Sequence, residues 1–223
     1  MEDVYTKVSA KTQLRDNRFA VFFGEGEALR VAFLGNSITR HEEKADIGWH
    51  RNWGMAASAM EKDYVHLLAA KIDKIKPAAY CISQAAIWEC EYKNGSKLMP
   101  EFDAAREFGA DILIVKLGAN CPRDAFDETV LKKEFETLLA YHNPRGNAKI
   151  IVVGDFYHHP ANVATEGFAK ENGYPFVCLE DLSDDAQMRA YGLFEHSGVA
   201  GHPGDRGMEA IAERIWDKLL PLL

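Results

Sequence analysis

The stretch VAFLGNSITR, Val31–Arg40, decides how this chain is read. It opens on a short run of apolar residues, which predicts a buried strand over Arg30–Gly35. Gly35 then permits a tight turn, and Asn36 and Ser37 are residue types that favour turns and helix N-caps. Ser37 therefore has two readings. It can cap a following helix, and Thr39–Glu42 fits the T-x-x-E capping pattern. It can also be a nucleophile presented at the carboxyl end of a strand. Taken alone the stretch favours the cap, and the GxSxG nucleophile elbow does not occur around it.

Outward from this stretch the same alternation repeats. Apolar runs predict strands over Ala78–Ser83, Asp111–Gly118, Lys149–Phe156 and Pro175–Leu179. Amphipathic segments lie between them: one from Asp63, one ending at Gly109, one from Asp127, one ending at Gly173, and one closing the chain. Apolar strands alternating with helices predict a parallel sheet covered on both faces. Ligands in such sheets bind beyond the carboxyl ends of the strands. Those ends read GNS, SQAAIWE, LGANCPRD and GDFYHHP, all polar or glycine-rich. With 223 residues, no repeat and no linker, the expectation is a single domain over 1–223, with 1–28 as a lead-in segment.

Bulk properties exclude some functions. Lys plus Arg number 26 against 34 Asp plus Glu, a net charge of −8 that opposes a nucleic-acid backbone or an anionic membrane as partner. No apolar run of the length a membrane span needs is present. The polar start MEDVYTKVSAKTQLRD has no apolar signal core, so the chain as given reads as cytoplasmic, or as periplasmic or secreted if a signal was removed. Cys81, Cys90, Cys121 and Cys178 form no CxxC pair and read as reduced, mostly buried thiols.

Three polar residues stand at the predicted sheet edge. Ser37 follows the first predicted strand. Asn120 follows a buried strand, where an amide can donate to a developing oxyanion, or serve as a turn residue before Pro122. His202 precedes Pro203 and the last helix, whose first turn would carry Asp205. In order and placement these residues resemble the motifs of the SGNH hydrolases, the GDSL-type esterases. FLGNSIT resembles the first motif, with Asn36 where aspartate is commoner. LGANC resembles GxND, with Cys121 in place of aspartate, and HPGDRGM resembles the last motif.

The resemblance implies a flavodoxin-like three-layer α/β/α sandwich around a five-stranded parallel sheet. It implies Ser37 as nucleophile, His202 as general base, and an oxyanion hole of the Ser37 N–H, Asn120 and a second-block N–H near Trp88. No cofactor or metal is implied. Two departures stand out. The family's aspartate three residues before the histidine is Val199 here. Either a backbone carbonyl near Val199 supports the imidazole, giving a Ser–His dyad, or Glu195 reaches it, or Asp205 does, although its spacing suits the helix start better; the dyad is favoured over Glu195. The second-block glycine is also missing from CISQAAIWECEY.

For substrate, Asn36, Trp49, Trp53, Tyr157 and His158 are the candidate contacts, with Trp88 and His159 completing an aromatic rim suited to sugar rings. The alternative is that the tryptophans pack the 46–64 insert onto the body. His158 and His159 with His41 and Asp155 lack metal-ligand spacing. The expected function is hydrolysis of a small acyl or carbohydrate ester, with no nucleic acid or membrane partner. The alternatives are a lipase or lysophospholipase-like acylhydrolase, and a binding protein of the same fold that has lost activity.

Overall fold

The computed structural model describes residues 16–223. Its centre is β2, Arg30–Gly35, which pairs in parallel with β3, Ala79–Gln84, on one side and with β4, Ile112–Lys116, on the other. Beyond β4 lie β5, Lys149–Val153, and β6, Phe176–Val177, also parallel. The five parallel strands thus run β3-β2-β4-β5-β6. This is the doubly wound order in which the chain first moves one way from its founding strand and then the other. The crevice opens where the direction reverses, at the carboxyl ends of β2 and β4. Those are the ends that lead into Ser37 and Asn120.

Side-chain alternation explains the layers. On β2, Val31 and Phe33 face one core and Ala32 and Leu34 the other. Ile112/Ile114 against Leu113/Val115 on β4, and Ile151/Val153 against Ile150/Val152 on β5, divide the same way. Helix α1, Tyr64–Asp73, packs with the last long helix on the first face. Short α2, Ala86–Cys90, and α3, Asp103–Phe108, then lead to α4, Glu128–His142, and α5, Pro160–Glu171, which cover the other face. A single turn, α6, Ser197–Ala200, precedes the closing α7, Asp205–Leu219. Asp63 and Asp127 cap α1 and α4 by accepting the N–H of His66 and Val130.

The sheet has six strands rather than the expected five. Residues 1–15 of the expected lead-in lie outside the described residues, but Ala20–Phe23 forms β1, antiparallel to β3 at the sheet edge. An edge strand buries one face only: Ala20 and Phe22 are buried, while Val21 and Phe23 are half-buried. Its signal is present in the sequence as the apolar run FAVFF, Phe19–Phe23, within the segment read as a lead-in. A third apolar cluster lies apart from both main cores. Trp49, Met55 and Ala56 of the insert pack there with Ala190 and Val199. It joins the insert to the loop that carries His202.

Candidate functional site

Ser37 caps no helix. The N–H groups of Thr39 and Arg40 both return to the Asn36 carbonyl, and the next helical turn, Ala45–Ile47, starts only after Lys44. Thr39, proposed from its spacing as a cap, is buried with its hydroxyl on the Tyr64 phenol at 2.7 Å. The turn is this tight because residue 35 is glycine: a Cβ there would stand 1.8 Å from Thr39 Oγ1. Met55 N–H closes it by donating to the Ser37 carbonyl at 2.9 Å. The Ser37 side chain is half-buried, and its N–H donates to none of the described residues.

His202 comes to it across 165 positions of sequence, with Ser37 Oγ and His202 Nε2 2.8 Å apart. The other ring nitrogen, Nδ1, lies 2.7 Å from the Gly198 carbonyl. A carbonyl only accepts, so Nδ1 carries the proton and Nε2 is left to accept from the serine hydroxyl. Burial pushes the imidazole down to about 4, with Lys116 and His41 adding to it against the Gly198 bond and Asp155. The ring is therefore neutral through the neutral range. Among the described residues no carboxylate supports Nδ1. Val199 is wholly buried in the apolar cluster, and Glu195 is exposed. Asp205 stands in the first turn of α7 as expected, but its carboxylate accepts from Ser58 N, Ser58 Oγ and Lys62 Nζ at 2.7–2.8 Å. The Tyr157 ring meets the imidazole edge to face, its centroid 6.2 Å away, and its hydroxyl donates to the Gly201 carbonyl at 3.2 Å.

Beneath the serine turn lies a buried charged layer. Asn36 is fully buried, so it does not contact substrate as expected. Its amide nitrogen donates to Glu89 Oε1 at 3.0 Å and to Asp155 Oδ2 at 3.1 Å. Its Oδ1 accepts from Ile38 N at 3.2 Å. Glu89, on α2, also accepts from the Gly118 N–H and the Asn120 amide. Gly118 has φ +146, and a Cβ there would meet Ala161 Cβ at 3.0 Å. Asp155 takes Lys116 Nζ at 2.9 Å, both groups fully buried. Burial opposes the Asp155 charge, but Lys116, the Tyr157 N–H and Asn36 together hold its carboxyl below the usual range. For Glu89 burial wins, helped by Asp155, and its carboxyl is pushed up to about 7.

Asn120 is itself exposed, and it lines a cleft of 570 Å³ with His41, Lys44, Gln84, Ile87, Glu91 and Arg18 among others. The expected aromatic rim does not form. Trp88 is fully buried against Phe135, and Trp49 is buried against Trp53 and Phe194, packing the insert onto the body. Trp53 is half-buried, with its indole N–H on the Ala57 carbonyl at 3.0 Å. His158 is exposed and paired with Asp184 at 2.8 Å, while His159 caps α5. Among the described residues no set of three or more metal-ligating side chains converges. Cys81 and Cys121 are buried, Cys90 and Cys178 exposed, and all four are free thiols.

Sequence reasoning missed Glu89 and the pairing of Lys116 with Asp155. Each carries a weak signal: a lone acid within the apolar run AAIWEC, and a lone lysine closing the apolar run ILIVK. Buried charge in an apolar run needs a partner.

No protein-family model matches the chain, and no curated protein matches it. Solved structures do. The psychrotrophic esterase EstA from Pseudoalteromonas superposes with a TM-score of 0.56 at 14% identity, over 86% of this chain and 97% of that one. A two-domain esterase active on acetylated mannans gives 0.57 at 18% identity, over 87% of this chain and 50% of its own. An acetyl xylan esterase from the rumen bacterium Butyrivibrio proteoclasticus gives 0.51 at 16%, over 87% and 64%. With lipolytic proteins of the G-D-S-L family also among the matches, the fold is that of the SGNH hydrolases.

Proposed function

We propose that this chain, built on the fold of the G-D-S-L esterases, is a serine esterase that uses a Ser37–His202 dyad. The observation that carries the reading is the 2.8 Å contact between Ser37 Oγ and a His202 Nε2 that the Gly198 carbonyl keeps unprotonated. His202 takes the hydroxyl proton as Ser37 Oγ attacks the acyl carbonyl, and the carbonyl oxygen becomes the oxyanion. The Ser37 N–H and the Asn120 amide face that charge. The third donor is an N–H in the first turn of α2. Ala85 and Ala86 N–H are taken by the Gly35 carbonyl and Gln84 Oε1. Ile87, which lines the cleft, is the better donor than Trp88. His202 then protonates the leaving alcohol, and water repeats the sequence on the acyl-enzyme. A backbone carbonyl orients the imidazole as an aspartate would, without adding a charge behind the imidazolium.

The substrate is a short acyl ester of a polyhydroxylated alcohol, in the first place an O-acetyl sugar. Supporting this, the cleft beside Asn120 sets Arg18, Lys44, Gln84 and Glu91 beside the apolar surface of Phe19 and Ile87. Two of the structures sharing the fold belong to enzymes described as acting on acetylated mannan and acetyl xylan. Hydrolysis of p-nitrophenyl acetate tests the chemistry: Ser37→Ala is expected to lower kcat by roughly 10⁴-fold or more. Equal rates for the two proteins refute the esterase. A series from acetate to octanoate tests the acyl pocket, with octanoate turned over at least about tenfold more slowly.

A further inference from the structure

Two positions depart together from the motif pattern, and the geometry joins them. Where the first motif commonly has aspartate, this chain has Asn36; where no carboxylate was expected, α2 carries Glu89. The two touch at 3.0 Å under the serine turn. Glu89 receives three N–H donors: Asn36 and Gly118 on Oε1, and Asn120 on Oε2. Asn36 spends its second amide proton on Asp155. One amide thus lies between two fully buried carboxylates, and it shares Asp155 Oδ2 with the single ammonium of Lys116.

Each part of this arrangement dictates the next. An ionised carboxylate only accepts, so the Asn120 amide must turn Nδ2 toward Glu89. Glu89 then holds one Nδ2 proton and leaves the second to donate into the cleft that Asn120 lines. Asn36 must likewise present nitrogen to both acids. An aspartate at 36 would place three carboxyl groups in contact in a site closed to water, and one of them would have to take up a proton. We propose that Glu89 is a positioning residue that holds the Asn120 amide in its donating orientation, and that Asn36 is the amide this carboxylate requires. Positions 36 and 89 then form a carboxylate–amide pair in which the acid has moved from the serine turn to α2. The catalytic part rests on the esterase reading.

Protonation of Glu89 acts through the same geometry. It converts one acceptor into a donor facing donors, so the Asn120 amide must turn over. The titratable groups around Glu89 are Asp155 beyond β5, Lys116 on β4, Cys121 beyond β4 and Cys90 on its own helix. Burial raises both thiols, which leaves them uncharged at neutral pH. His202 titrates at about 4 and Glu89 at about 7, so the upper acid limb of activity belongs to Glu89.

The test uses wild type, Glu89→Gln, Asn36→Asp and the double variant, with Ser37→Ala as control, on p-nitrophenyl acetate. Each single change is expected to lower kcat about 10²-fold with KM within about threefold. The double variant should be at least about tenfold faster than Asn36→Asp alone, because it returns the cluster to two carboxylates and one amide. The fall in kcat/KM below about pH 7 should disappear in Glu89→Gln. Glu89→Gln with wild-type kcat and pH profile overturns the positioning role, and additive losses in the double variant overturn the pair. Ser37→Ala as fast as wild type overturns the esterase reading and the catalytic role of Glu89 with it. The pair itself is then decided by thermal unfolding of the same four proteins: a double variant more stable than Asn36→Asp supports it, and additive losses overturn it.

Discussion

The two sides of the Ser37–His202 contact are built on opposite principles. Under Ser37 lies a layer of buried charge, in which Glu89, Asp155 and Lys116 are tied together through the Asn36 amide. Behind His202 there is no carboxylate among the described residues: Val199 packs with Trp49, Met55, Ala56 and Ala190, the half-buried Arg189 donates to the Gly201 carbonyl, and the ring is held by one carbonyl. Charged groups under the serine hold amides and N–H groups in fixed orientations, since ions in a low-dielectric site tolerate few arrangements. Apolar packing behind the histidine fixes a loop while leaving the imidazole neutral. The difference teaches that the buried-charge organisation around this contact lies on the side of Ser37.

The charged side should break most severely. Lys116→Met leaves the Asp155 carboxylate buried without its cation, at an expected cost of about 3–5 kcal/mol in urea unfolding. A smaller loss would mean that Asn36 and the Tyr157 N–H suffice for Asp155. On the apolar side, Val199→Asp puts a carboxylate among Trp49, Met55 and Ala190, and should cost about 3 kcal/mol. If that variant is instead as stable as wild type, the new acid has reached a polar partner and the loop is less rigidly packed than its burial implies.

The two sides should also respond to pH in opposite directions. Glu89 is raised from 4.5 to about 7 on folding, so its native protonation favours folding at low pH and that stability is lost as pH rises from about 4.5 to 7. His202 is lowered from 6.5 to about 4, so the stability its neutral form allows is present above 6.5 and lost as pH falls toward 4. Between pH 5 and 7, Glu89→Gln should gain about 2 kcal/mol relative to wild type as pH rises. For the half-buried His202 the effect is smaller, about 1 kcal/mol between pH 6.5 and 4.5, seen as a flatter profile in His202→Gln. Parallel profiles for Glu89→Gln and wild type would remove the contrast. The smallest effect belongs to Glu195→Gln. With Glu195 exposed and Nδ1 on the Gly198 carbonyl, ester turnover should change less than about twofold, and a hundredfold loss would show that Glu195 supports the imidazole during turnover.

The order of strands and helices was legible in the sequence because apolar periodicity is a local signal. β2 falls on its expected residues, Arg30–Gly35, and the parallel sheet follows from strands whose side chains are apolar on both faces. Ser37 and Asn120 stand out the same way, as polar residues just beyond apolar runs, and His202 as the loop residue before Pro203 and the last helix. What the chain could not show locally are contacts between residues far apart in it: Asn36 meets Glu89 across 53 positions and Asp155 across 119. A lone Glu89 or Lys116 in an apolar run reads as a misfit until the fold brings it a partner. The sequence alone likewise left open what stands behind His202, because a backbone carbonyl has no side chain to announce it; only the turn at α6 aims Gly198 at the ring. The residue types and their places at the strand ends were therefore determined by the sequence, while which charges meet, and which aromatics turn inward, was decided by packing over distances that periodicity does not span.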